Sequence, residues 1–138
     1  MKKNKKNIFK KKTFLLDIDT YRNHCIVVLN GDFSDIEKQI KKYNNDINLK
    51  YIEENRKDFE TIKIKDGILF FTLPVGFAMV INVQSSWIET VGVVTHECLH
   101  LVHYLFRRVG ISFTEESEEA YTYLQQNLII KILKEIYL

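Results

Sequence analysis

His96, Glu97 and His100 stand as His-Glu-Cys-Leu-His within an apolar run, and their types and spacing are those of a metal site. On a helix, residues four apart are about 6 Å along the axis and within about 40° of each other, so both imidazoles can turn toward one Zn2+. Neutral imidazoles hold a borderline metal without cancelling its charge. The glutamate between them is then free to take a proton from water acidified at the metal's open position. The expected roles are metal ligation for His96 and His100 and general-base work for Glu97.

Such convergence needs a helix under the motif. Ser86 followed by Glu89 is a capping-box pattern, which predicts that a helix starts there and runs through the histidines. Arg107, Arg108 and Gly110 then read as its end, with cations near the negative pole and a glycine just beyond.

A third ligand has to come from elsewhere in the chain. The segment after Gly110 is short, so the next helix is expected to pack antiparallel to the first. His100 lies ten residues before Gly110 and Glu119 nine after it, which brings them to one level in such a hairpin. Glu118 has nearly that height but points about 100° away. Glu119 shares its face with Tyr123 and Ile130, and is preferred over Glu118 on that ground. Glu115 and Glu116 are read as carboxylates complementing a helix N-terminus. Tyr123 is a candidate phenol donor to an oxyanion. His103 lies on the stripe of the two histidines but about 10 Å from His96, which fits a pocket wall or a hydrogen bond to a carboxylate. His24 is expected at an exposed loop end, and Asp17 and Asp19 as turn residues.

These motifs carry a resemblance. His-Glu-Cys-Leu-His, then Gly110-Ile111, then Glu119-Ala120-Tyr121-Thr122-Tyr123-Leu124 resembles small phage- and prophage-encoded proteins described as zinc metallopeptidases with a zincin-like, gluzincin-type site. In that pattern a glutamate four residues before a Tyr-Leu pair follows the His-Glu-x-x-His helix, and here it is Glu119. Thr20-Tyr21-Arg22 followed by Cys25-Ile26-Val27-Val28 is similar to the family's first strand. The resemblance covers the chain after residue 14, with sharp motifs in the C-terminal third only. It implies zinc binding and hydrolysis of a peptide or protein substrate. It equally implies a structural or assembly component of a phage particle in which the metal staples two helices, located in the bacterial host's cytoplasm or the virion.

With 138 residues, 46% of them hydrophobic, the chain has material for one core and not two. The two cysteines, Cys25 and Cys98, show no spacing of a disulfide framework or a cysteine zinc site, and a reducing compartment fits. Cys98 should pack on the helix face away from the histidines as a small hydrophobe. The most hydrophobic stretch, residues 68–83, is interrupted by Pro74 and Gly76 and is shorter than the ~20 residues of a membrane span, so no membrane partner is expected. Nor does the basic N-terminus lead into an apolar signal sequence.

Seven lysines fall within the first twelve residues. The formal +2 of the chain therefore becomes −5 for the remainder, with 13 basic against 18 acidic residues. Residues 1–13 are expected to form a mobile basic arm, and residues 14–138 one domain. The arm has the charge to attract an acidic assembly partner or nucleic acid; with Phe9 its sole aromatic residue, base stacking is not expected.

The expected fold class is α+β. A β-rich N-terminal half with one helix precedes two long antiparallel helices that carry the site. Residues 14–18 and 25–29 read as strands, Ser34 with Glu37 as the cap of a helix using Ile36, Ile40 and Tyr43. Asp66-Gly67 between residues 61–65 and 68–73 signals a hairpin, and residues 77–83 a further strand. Residues 51–59 fit a short helix or a loop. The zincin-like resemblance implies that the last strand or the hairpin can offer an edge to an extended peptide, but ordinary core strands are the preferred reading of each residue there.

Overall fold

Apolar, β-branched runs form the first two strands, β1 (Lys12–Ile18) and β2 (Asn23–Leu29), joined by a 3-10 turn at Asp19–Tyr21. The computed structural model describes residues 9–43, 45–61 and 68–138. Three helices follow: α1 (Phe33–Lys42), α2 (Asp46–Glu54) and α3 (Arg56–Thr61). Strands β3 (Ile68–Thr72) and β4 (Phe77–Ile81) lead into the long helices α4 (Trp87–Arg108) and α5 (Glu118–Tyr137). The α+β class expected from the sequence is what the chain forms.

The sheet order is β1-β2-β4-β3, with β2 and β4 parallel and both outer pairs antiparallel. The central strands are buried on both faces, which is why they read as continuous apolar runs and not as alternations. Ile26, Val28, Ala78 and Val80 face one layer, where Ile36, Ile40, Ile52 and Phe59 of the short helices cover them. Cys25, Val27, Phe77 and Met79 face the other, under Val94, Cys98, Leu101 and Leu128 of the long helices.

The N-terminal half differs from expectation in carrying three helices where one was expected. α2 buries only Asn48 and Ile52, and α3 only Phe59, too few apolar positions to show a helical period. The cap of α1 is Asp32, two residues before the expected Ser34. Its carboxylate accepts from the Ser34 amide at 2.9 Å, while Asp35 accepts from the Asp32 amide at 3.0 Å. Two carboxylates at the positive end of the helix form a better box than Ser34 with Glu37. Tyr43 is exposed at the end of α1 and not on its packed face.

β3 pairs antiparallel with β4, and among the described residues it is an edge strand next to α4. The expected partner run 61–65 and its Asp66-Gly67 turn lie, apart from Thr61 in α3, outside the described residues. So do residues 1–8 of the basic arm. Of its three remaining lysines, Lys11 pairs with Asp35 at 3.1 Å and Lys12 with Glu135, while the Phe9 ring meets Tyr137. No helix among the described residues is long and apolar enough to cross a membrane.

Candidate metal centre

Ser86 starts α4 as expected, its hydroxyl accepting from the Glu89 amide at 3.1 Å, and Gly110 follows its end with a φ of 81°. The helix presses Thr90, Val94, Glu97, Cys98, Leu101, Val102, Leu105 and Phe106 against the rest of the protein. His96 and His100 stand on the opposite, solvent-facing side. Glu97 thus occupies a position on the buried stripe that its neighbours fill with apolar side chains.

The two Nε2 atoms are 3.2 Å apart. That separation fits one N–H···N hydrogen bond, and it equally fits two tetrahedral ligands at Zn–N distances of about 2.0–2.1 Å, whose nitrogens lie roughly 3.3 Å apart. Glu97 Oε1 is 3.8 Å from His96 Nε2. His96, Glu97 and His100 are the group of possible donors among the described residues whose ligand atoms all lie within 4.8 Å of one another. The residues present fit a metal ion.

Glu97 is 3% exposed, and its Oε2 is the one buried side-chain polar atom among the described residues with no hydrogen-bond partner. The other buried polar side chains are satisfied: Asp35 by Lys11, Asn48 by the backbone of Val75, and Thr90 by Ser86 and Gln84. Burying an unpartnered carboxylate oxygen is costly, so an orphan of this kind calls for a reason. Burial raises the Glu97 carboxyl above its ordinary value, and His96 opposes that shift. His100 is lowered, by burial first and then by His96 and His103, which favours the neutral imidazole that a metal requires.

Cys98 is fully buried on the inner face, as expected, and its thiol is pushed up to about 12 by burial, with Glu97 adding. Cys25 is raised well above its ordinary value for the same first reason. Neutral buried thiols are inert as ligands.

Glu119 stands outside the donor group, exposed in the first turn of α5. The long helices do run antiparallel: Phe106 packs on Tyr121 at 4.4 Å, and the Gln125 amide reaches the Thr95 carbonyl at 3.5 Å. Their connection, however, runs from Val109 to Ser117, longer than the short turn expected. Bonds among Ser112, Thr114 and Ser117 hold it together. Tyr123 is 67% exposed and lines a cleft of about 420 Å3 with Asp17, Tyr21, Asn127 and Lys131, which neither histidine borders. Glu118 is likewise exposed. His103 is exposed, with its ring 5.5 Å from that of Tyr104. His24 is half-buried rather than exposed, packed close against Gly76, and burial lowers its pKa despite Asp17.

Two residues beside the histidines had no sequence signal of function. Phe70, on β3, stacks on His100 at 5.9 Å and on Tyr104 at 5.7 Å. Tyr104 follows His100 by one turn, but only the placement of β3 along α4 brings Phe70 to them. Compared with known protein families, curated proteins and solved structures, the chain matches none.

Proposed function

We propose that the chain is a zinc-dependent hydrolase of the metallopeptidase kind, with His96 and His100 as ligands and Glu97 as general base. The observation that carries this reading is the Glu97 carboxylate, buried with one oxygen unpartnered beside two converging imidazoles. Zinc bound there would supply Lewis acidity to a scissile carbonyl and to water. Glu97 takes a proton from the attacking water and delivers it to the departing amine. Its raised pKa makes the ionised carboxylate a stronger base toward the attacking water than an ordinary glutamate. The edge strand β3, beside His100, is the proposed seat for an extended peptide substrate.

A metal staple in an assembly protein requires a donor from α5, whereas the donor group comes wholly from α4. For that reason we favour hydrolysis. Incubating the zinc-loaded protein with a diverse peptide library, followed by mass spectrometry, tests it. Zinc-dependent cleavage that chelation stops supports the reading, and a zinc-loaded protein that cleaves nothing overturns it.

The donor group contains no residue of α5, and Glu119 is the proposed third ligand still to be placed. Glu119→Ala therefore separates a three-ligand centre from a two-histidine centre. A loss of zinc affinity of about a hundredfold identifies Glu119 as a ligand, and an unchanged affinity places the third position with water or substrate.

A further inference from the structure

Arg108, the last residue of α4, bears on the same aromatic stack that holds His100. Its guanidinium donates through Nη1 to the Gly76 carbonyl at 3.0 Å and through Nη2 to the Leu73 carbonyl at 2.9 Å. The same planar group lies 4.3 Å above the Phe77 ring. Phe77 stacks on Phe70 at 6.1 Å with 21° between planes, and Phe70 stacks on His100 at 5.9 Å with 20°. Arg108, Phe77, Phe70 and His100 thus form a continuous tier from the end of α4, across β4 and β3, back to the middle of α4.

The turn between the strands is held from the other side as well. Asn48, buried on α2, donates to the Val75 carbonyl at 2.8 Å and accepts from the Val75 amide at 2.9 Å. Gly76 takes a φ of 85°, and a Cβ there would meet the His24 ring at 2.6 Å, so the turn has little room to shift. Asn48 holds the backbone of the turn, and its hydrogen bonds go to Asn45 and Val75 and not to the aromatic tier. Arg108 holds the turn and touches the tier, and only a planar fork can make two parallel hydrogen bonds while lying flat on a ring.

We propose that Arg108 is a positioning residue for the metal centre, fixing the ring plane of His100 through Phe77 and Phe70 so that its Nε2 meets that of His96. The proposal rests on the reading of His96 and His100 as ligands. Preorganised ligands bind metal more tightly because less side-chain freedom is lost on binding, and a group that touches a ligand commonly affects metal affinity tenfold or more; Phe70 is that group here, and Arg108 acts on it through Phe77.

The test compares Arg108→Ala, Arg108→Lys and Asn48→Ala, with Phe77→Leu as a variant that breaks the tier and leaves both clamps. Two quantities are read: the NMR shifts of the His100 ring protons in chelator-treated protein, and zinc affinity by competition with a chromophoric chelator. In the unsubstituted protein, stacking on Phe70 should move the His100 ring protons upfield. Arg108→Ala and Phe77→Leu should abolish that displacement and weaken zinc binding about tenfold, with Arg108→Lys rescuing neither. Asn48→Ala should lower the urea midpoint yet leave both readouts within about twofold of the unsubstituted protein. The proposal is overturned if folded Arg108 variants keep the shift and the affinity, or if Asn48→Ala weakens zinc as much as Arg108→Ala does. Should Arg108→Ala fail to fold, Arg108→Lys and Phe77→Leu decide by the same two readouts. A protein that shows the ring shift but binds no zinc overturns the ligand reading instead, and with it any role of Arg108 at a metal.

Discussion

Alanine at His96 or at His100 is expected to remove zinc binding from a protein that stays folded. The His96 side chain is 65% exposed, so its loss leaves no cavity, and alanine is the best helix former for the position. His100 is also exposed, and its removal forfeits one ring stack on Phe70, a cost of about 0.5–1.5 kcal/mol. One remaining imidazole cannot hold the ion, and affinity should fall on the order of a thousandfold or more, equivalent to about 4 kcal/mol. Zinc that binds the folded state alone at 1,000 times its dissociation constant stabilises by about 4.1 kcal/mol. Calorimetry should therefore show a zinc-dependent rise in Tm for the unsubstituted protein and none for either variant. A variant that kept the rise would remove that histidine from the ligand set.

Glu97→Gln should act in two opposite directions. In chelator-treated protein at pH 7 it should stabilise the fold by about 1–3 kcal/mol, because a neutral amide replaces a carboxylate buried with an unpartnered oxygen. The pH dependence follows from the raised pKa of Glu97. A carboxyl whose folded pKa lies above its unfolded value binds more protons in the native state between the two values. The unsubstituted protein therefore loses stability as pH rises from about 4.5 through the folded pKa, and the full penalty applies above it. The advantage of the glutamine variant should vanish near pH 4 and be complete once the carboxyl is ionised. The variant should retain zinc while losing most hydrolysis, a drop of roughly 10²–10⁴-fold for the removal of a general base. Urea unfolding at several pH values, with peptide turnover at pH 7, measures both effects. A glutamine variant less stable than its parent at pH 7 and fully active would contradict the role given to Glu97.

The features legible in the sequence are those set by local chemistry. Ser86 and Glu89 at one end of α4, Gly110 beyond the other, and the apolar strands β1, β2 and β4 were readable because caps and runs leave a signature within a few residues. His96 and His100 converge because the helical period alone brings them together. Features set by distant contacts were not legible. The length of the α4–α5 connection depends on the hydrogen bonds of Ser117 with Ser112 and Thr114, and a few residues' difference moves Glu119 along α4. The tier beneath His100 needs the register of β3 on β4 and the crossing of both by α4. The inward aim of Glu97 follows from its place between Val94 and Leu101 on the buried stripe, which the sequence shows only once the core face of α4 is known.

The most direct measurement of the central claim is the zinc content and coordination shell of the purified protein, by elemental mass spectrometry and X-ray absorption at the zinc edge. The account predicts about one zinc per chain, with imidazole nitrogens at about 2.0–2.1 Å and no sulfur shell. Less than about a tenth of an equivalent after zinc supplementation, or a shell of sulfur at about 2.3 Å, would contradict a centre built on His96 and His100.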